Sequence, residues 1–162
     1  MVVLKKILDF YINSSLHVAL SAFALVSMTQ YFFGVEGDFS VAFFAFFGTV
    51  VGYNFVKYDA IARLNKTEIK KELKAIVFLS FISLLACFYF FLQLSWMSKL
   101  SAVAFLGLTL LYTLPFFPNK QNARNWKGVK IYIVGITWVG VTVILPLVEA
   151  KIPFSIDVFL MA

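Results

Sequence analysis

The chain has 162 residues, of which 62% are hydrophobic and 14% charged, and its mean hydropathy is +0.91. Soluble domains are about half apolar and about one-quarter charged, so this composition excludes a water-soluble globular fold and predicts that lipid surrounds much of the chain. The net charge of +6 does not indicate nucleic-acid binding, because the basic residues lie in short segments between apolar runs. A single cysteine and a single histidine exclude a disulfide framework and a multi-histidine metal centre.

Five segments are long and apolar enough to cross a bilayer, which takes about 20 residues. They are residues 14–34, 39–56, 75–94, 100–117 and 131–148. Lys5 and Lys6 precede the first of them, but Asp9 interrupts the run and the apolar stretch is longer than that of a signal peptide. The predicted fold class is therefore all-α, a polytopic transmembrane bundle of about five helices in a single membrane domain, residues 1–162.

The distribution of lysine and arginine predicts how the bundle is oriented. Of the 14 basic residues, two lie before the first span, six between the second and third, and four between the fourth and fifth. Only Lys99 and Lys151 lie on the other turns. Because successive spans alternate in direction, the first twelve fall on one side, which the positive-inside rule makes cytoplasmic. We expect a multi-pass integral membrane protein, of the bacterial inner membrane, with a cytoplasmic N-terminus.

The residues after the fifth span predict a further helix. Glu149 is followed by "KIPFSIDVFLMA", which is typical of a turn and the beginning of a sixth helix. Five spans would place this end on the non-cytoplasmic side without a capping element. We therefore expect the chain to be the N-terminal portion of a larger bundle.

Polar residues cluster where the second span ends, in "GYNFVKYDAIARLNK" (residues 52–66). Asp59 and Arg63 are four residues apart, a spacing that suits an ion pair on an exposed helix end. Alternatively, Asn54 and Asp59 supply oxygen ligands to a Mg²⁺ ion that holds substrate phosphates, and Lys57 and Arg63 neutralise the phosphates. The residues alone leave both interpretations open.

Four further polar residues are candidates for ligand contact, each with a structural alternative. His17 is three residues after Ser14, on the same face of a continuous helix, and would bind a neighbouring helix or a phosphate. Tyr112, just before the prolines that end the fourth span, is typical of an aromatic belt but also suits a ligand contact. Arg124 and Lys130 belong to the positive-inside signal or to a basic loop that holds a diphosphate.

The order of these features resembles the UbiA superfamily of membrane prenyltransferases. That family carries an N-D-x-x-D-x-x-x-D motif at the cytoplasmic end of its second helix, where this chain has "NFVKYDAIAR" (54–63). The segment "LYTLPFF" (111–117) is similar to the Tyr-Ser-x-Pro-like end of the family's fourth helix. The segment "NWKGVKIYIVGITWVGVTVILPL" (125–147) is similar to the basic, glycine-containing approach to its fifth helix. The resemblance covers residues 10–150 approximately and is carried by order and topology.

The chain departs from the family pattern at the aspartates. When the motif is aligned on Asn54, the family's aspartates fall on Phe55, Tyr58 and Ala62, none of which is acidic. Asp59 is one residue out of place, which turns it about 100° around a helix. A pair of Mg²⁺ ions on a diphosphate needs several carboxylates, so the motif is either degenerate or retuned. The family's second aspartate-rich motif belongs between helices six and seven, beyond the last residue of this chain.

The resemblance implies prenyl transfer at the cytoplasmic face. A polyprenyl diphosphate held with Mg²⁺ would ionise to an allylic cation in an apolar groove, and an aromatic or other acceptor would capture that cation. Asn54 and Asp59 would be metal ligands. The residues expected to contact substrate are Lys57, Arg63, Arg124, Lys130, Tyr112 and His17. The alternative is a non-catalytic UbiA-like or small multi-pass membrane protein that binds lipid or acts as a scaffold.

Overall fold

The computed structural model describes residues 2–35, 39–64, 71–114 and 128–153, and their side chains except at 2, 59–64 and 71–72. All regular elements in these ranges are helical. The first five helices are α1 (Val2–Asn13), α2 (Leu16–Phe32), α3 (Ser40–Leu64), α4 (Lys71–Gln93) and α5 (Trp96–Thr113). The last stretch comprises α6 (Val129–Val139), a π-helical turn (Gly140–Ile144) and α7 (Leu145–Glu149).

The helices confirm the all-α class and are consistent with the membrane character predicted from the sequence. Four stretches are long and apolar enough to cross a membrane, namely Ser40–Tyr58, Leu73–Gln93, Trp96–Thr113 and Val129–Glu149. The pair α1 and α2, bent by 59°, adds a fifth if it is counted as one span. Between 11% and 28% of each of the four stretches is buried inside the protein, so most of their surface faces outward, as expected where lipid is the solvent.

The buried core is built mainly from small side chains. Ala19, Ala22 and Val26 follow one face of α2 and are at most 1% exposed. Small residues let helix backbones approach closely, and in lipid it is this packing that holds helices together. A buried apolar cluster joins α2, α3, α5, α7 and the turn after α4, and consists of Val26, Val41, Ala42, Ala45, Leu94, Ala102 and Leu145.

Hydrogen bonds tie neighbouring helices together at one end of the bundle. Ser40, the first residue of α3, donates its Oγ to Gln93 Oε1 at the end of α4 (3.0 Å). The N–H of Ser95 donates to both carboxylate oxygens of Glu149 at 3.0 and 3.1 Å. Ser95 is the N-cap of α5, so this carboxylate lies at the positive end of a helix dipole. We call this end, which brings together α3, α4, α5 and α7, the Ser95 end.

The π-helical turn lies just before Pro146. Proline has no N–H, so the carbonyl of Thr142, four residues earlier, cannot receive its usual helical hydrogen bond from that position. Thr29 of α2 donates its Oγ1 to this carbonyl at 2.9 Å. The N–H of Leu145 bonds to the carbonyl of Gly140, five residues back. Neighbouring helices commonly satisfy carbonyls that proline frees in membrane helices, and here the result is a fixed contact between α2 and the last span.

Candidate functional site

The described candidate residues of α2 and α3 lie at the end of the bundle opposite Ser95. Here the end of α1 contacts α3, through hydrogen bonds from Lys57 and Tyr58 to Asn13, and α3 contacts the first turns of α4, through Asn54 and Ser80. We call this the Asn13 end. At this end a buried amide in the late turns of α3 bonds to a serine side chain of α4.

Asn54 is a buried polar residue of this end, with only 3% of its surface exposed. Its Nδ2 donates to Ser80 Oγ at 2.9 Å, and Ser80 Oγ donates to the Ile76 carbonyl at 2.8 Å. Because the serine hydrogen is already used, the serine oxygen must be the acceptor, which fixes the orientation of the amide. Asn54 Oδ1 is left without a hydrogen-bond partner in the described structure. A buried oxygen in this state costs about 1–3 kcal/mol, so it is suited to receive a donor or a cation.

Lys57 and Tyr58 contact the last residue of α1. Lys57 Nζ donates to the carbonyl oxygen of Asn13 at 3.2 Å and to its Oδ1 at 3.4 Å, and Tyr58 donates its hydroxyl to the same carbonyl at 2.8 Å. The ammonium also lies 5.4 Å from the centre of the Tyr58 ring. The last carbonyls of a helix lack partners within it, so these two side chains cap α1. We call the three residues the Asn13 clasp.

His17 is exposed on the first turn of α2, and its ring centre is 5.8 Å from that of Tyr11. The expectation that it shares a helix face with Ser14 is wrong, because α2 begins only at Leu16. Ser15 has a φ of 61°, which breaks the helix between the two residues, and Ser14 is buried in the resulting turn. His17 therefore contacts α1 across a bend.

Tyr112 and Lys130 belong to other helices than Asn54. Tyr112 is half-buried near the end of α5, and Lys130 is exposed in the first turn of α6. Within the described ranges no hydrogen bond joins either side chain to Asn54, Lys57 or His17. Tyr112 on α5 and Lys130 on α6 are therefore not part of the hydrogen-bonded polar cluster of α3 and α4.

Three of the predicted site residues lie outside what the structure describes. Asp59 and Arg63 belong to the helical backbone of α3, but their side chains are outside the described part, and Arg124 is outside it altogether. The choice between an Asp59–Arg63 ion pair and a phosphate or metal site therefore stays a prediction.

The described residues offer Mg²⁺ a single buried, unpartnered side-chain oxygen. No group of three or more His, Cys, Asp or Glu residues that could hold a metal ion is found among them. Asn54 Oδ1 is an oxygen of the kind that Mg²⁺ prefers. Mg²⁺ sites in phosphate-binding proteins take few ligands from the protein and the rest from water and substrate phosphates. Asn54 is thus compatible with one position in such a coordination sphere.

Two partners in this cluster, Asn13 and Ser80, were not predicted from the sequence. A serine in an apolar helix usually bonds back to the carbonyl four residues earlier, as Ser80 does, so it attracts little notice by itself. A usable signal is present nonetheless. Asn54 and Ser80 are 26 residues apart, and residue 67, midway between them, lies in the segment that joins α3 and α4. In a helical hairpin, residues at equal distances from the turn lie side by side.

The fold and this polar end define the class of the protein: a helical protein with four to five apolar helices, consistent with an integral membrane protein. Comparison with protein-family models, with curated proteins and with solved structures found no significant match to the chain. The resemblance to the UbiA superfamily therefore rests on the residues and motifs quoted above.

Proposed function

We propose that the chain is a multi-pass membrane protein of the UbiA type that binds a polyprenyl diphosphate at the Asn13 end. The observation that carries this proposal is Asn54, whose Oδ1 is buried without a partner. Asn54 is also the residue that matches in place the first position of the family's aspartate-rich motif. Polar groups within membrane helices are costly and mark ligand sites by default, and a ligand would supply the missing partner of Asn54.

The charge of this end supports an anionic ligand. Lys57 lies one helical turn beyond Asn54, and Lys74 lies near the beginning of α4, on the helix that supplies Ser80. An ammonium has three donors, and the two oxygens of Asn13 use two of those on Lys57. Under the positive-inside rule this end faces the cytoplasm, and the N-terminus of the chain lies there with it.

The proposed reaction is prenyl transfer from the bound diphosphate. The bond between the allylic carbon and the diphosphate oxygen breaks, and its electron pair leaves with the diphosphate. A nucleophilic atom of the acceptor then forms a bond to the allylic carbon and loses its proton. Bound Mg²⁺ would supply charge neutralisation on the leaving diphosphate. The apolar spans would exclude water from the cation, and Asn54 would hold the diphosphate end through its unpartnered oxygen, by way of the metal.

A second candidate is binding of a lipid or isoprenoid without turnover. The specific observation in its favour is that Lys57 and Tyr58 both bond to Asn13. These two polar side chains, about one helical turn beyond Asn54, thus have a structural partner of their own, as expected if the helix end serves mainly to hold α1 in place.

Binding of a polyprenyl diphosphate to the detergent-purified protein, with Mg²⁺ or with EDTA, tests the proposal. We expect Mg²⁺-dependent binding that Asn54→Leu and Asp59→Asn each weaken about tenfold or more, which corresponds to about 1.4 kcal/mol. Gln93→Leu, a matched amide at the Ser95 end, should leave the affinity unchanged. Wild-type affinity in Asn54→Leu would overturn the proposal. Binding that gives no product with any aromatic acceptor supports the second candidate.

A further inference from the structure

Helix α1 has two chemically distinct faces. At 100° per residue, Lys5, Lys6, Asp9 and Asn13 fall within a sector of about 100°. The opposite sector of about 160° is entirely apolar or aromatic and carries Val3, Leu4, Ile7, Leu8, Phe10 and Tyr11. A lysine-bearing polar face opposite an apolar face is typical of helices that lie on a membrane surface.

The first part of the apolar face of α1, from Val3 to Leu8, is not covered by the described part of the protein. Val3 and Leu4 are 71% and 73% exposed, and Ile7 and Leu8 are 61% and 53% exposed. A helix of 12 residues is too short to be stable by itself in water. Another surface must therefore cover these side chains.

The orientation of α1 is fixed by the rest of the bundle. The left-handed conformation of Ser15 produces the 59° bend between α1 and α2, and the Asn13 clasp holds the end of α1 against α3. Membrane helices tilt by about 20° on average. If α2 tilts in the favourable direction, the two angles together bring α1 to within about 10° of the membrane plane.

We propose that α1 lies in the plane of the membrane at the Asn13 end and binds the interfacial layer of an anionic bilayer. Only two residues separate α1 from α2. The apolar face of α1 therefore lies at about the membrane depth at which the apolar helix α2 begins. Lys5 and Lys6 are accompanied at this end by Lys57 and Lys74, and such clusters attract anionic lipid headgroups. Because α1 adjoins an apolar helix and carries lysines, we infer that a lipid surface covers its apolar face, rather than a second protein. The proposal is independent of diphosphate binding.

Depth measurements with spin labels test the position of α1. Single cysteines replace Val3, Lys6 or Phe10 in the full chain carrying Cys87→Ala, reconstituted in nanodiscs that contain phosphatidylglycerol. Val3 and Phe10 share a face and are about 10 Å apart along the helix. In-plane binding predicts equal oxygen accessibility and depth at these two positions, with the Lys6 label closer to water. If α1 and α2 instead form a broken span with α2 near the membrane normal, the two depths differ by about 5 Å or more, which overturns the proposal.

Charge reversal tests the lipid preference. Lys5→Glu with Lys6→Glu should move the Val3 label measurably toward water in phosphatidylglycerol nanodiscs and leave it in place in phosphatidylcholine nanodiscs. Lys99→Glu, on α5 near the Ser95 end, is the matched control and should change neither. An unchanged depth in the anionic discs would contradict anionic-lipid binding. Labels at Val3 and Phe10 that are shielded from both oxygen and an aqueous nickel reagent would show that protein covers this face. An unchanged melting temperature of the variants confirms that the bundle is intact.

Discussion

At the scale of single residues, Gly140 shows how tightly the last span packs. A Cβ built on Gly140 would lie 2.2 Å from Cε1 of Phe105 and 2.3 Å from its Cζ. No real Cβ approaches an aromatic ring so closely, so the α5 ring occupies the place of a side chain. Gly140 is also the first residue of the π-helical turn, and its own backbone is buried.

Gly140→Ala should therefore destabilise the protein. Either the Phe105 ring must leave its position or the two helices must separate, and overpacking of this kind typically costs about 1–3 kcal/mol. Unfolding in mixed detergent and denaturant would measure the change in the free energy of unfolding. Adding Phe105→Leu should restore part of the loss, because the smaller side chain leaves room for the methyl group.

Gly135→Ala on the same helical stretch is the matched control. A Cβ at Gly135 has no atom within 4 Å, and alanine is favoured over glycine inside a helix, so this variant should be neutral or slightly stabilised. Equal stabilities of the two alanine variants would refute the packing argument.

At the scale of helices, the apolar spans were predictable from the sequence to within a few residues for most ends. The predicted span 14–34 corresponds to α2 (Leu16–Phe32). The predicted span 75–94 begins inside α4 (Lys71–Gln93) and ends one residue after it. This agreement has a physical reason. In lipid every backbone group must bond within its own segment, so a long apolar run has little alternative to a helix.

The parts that sequence reasoning missed depend on chemistry outside hydropathy. α1 has only 12 residues and carries Lys5, Lys6 and Asp9, so a search for long apolar runs passes over it. The hydrogen bond to the Thr142 carbonyl comes from Thr29, which is 113 residues away along the chain. The pairing of Asn54 with Ser80 requires the α3–α4 hairpin to be in register. Each of these features depends on a contact that a local sequence pattern does not predict.

The contact between Thr29 and Thr142 gives a test of how Pro146 shapes the last span. Thr29→Val removes the hydroxyl that bonds to the Thr142 carbonyl, and should lower the free energy of unfolding by about 0.5–1.5 kcal/mol. In a Pro146→Ala background the new N–H can bond to the same carbonyl. The loss caused by Thr29→Val should then be smaller, and a double-mutant cycle of unfolding free energies would measure the coupling.

Thr137→Val provides the comparison for that cycle. Its hydroxyl bonds to the Ile133 carbonyl of its own helix, four residues back, where the backbone N–H is an additional donor. We expect little loss of stability and no coupling to Pro146→Ala. If Thr29→Val and Thr137→Val behave alike in both backgrounds, Pro146 is not the reason for the contact between α2 and the last span.

At the scale of the whole molecule, hydrogen bonds connect helix ends in two groups, one at each end of the bundle. The beginning of α3, the end of α4, the beginning of α5 and the end of α7 meet at the Ser95 end. The end of α1, the late turns of α3 and the early turns of α4 meet at the Asn13 end. Neighbouring helices therefore run in opposite directions. With this alternation, Lys99 and Lys151 belong to the Ser95 end, and the other described lysines belong to the Asn13 end.

This division makes the proposed orientation testable with one reagent. Lys6→Cys and Lys130→Cys stand for the Asn13 end, and Lys99→Cys and Lys151→Cys stand for the Ser95 end, each in the Cys87→Ala protein. Because the positive-inside rule places the basic segments in the cytoplasm, a membrane-impermeant maleimide should label only the Ser95-end cysteines in intact cells. The Asn13-end cysteines should react after permeabilisation. The opposite result would place the proposed diphosphate site on the non-cytoplasmic side, and different outcomes for two cysteines of one end would contradict the alternating arrangement of the helices.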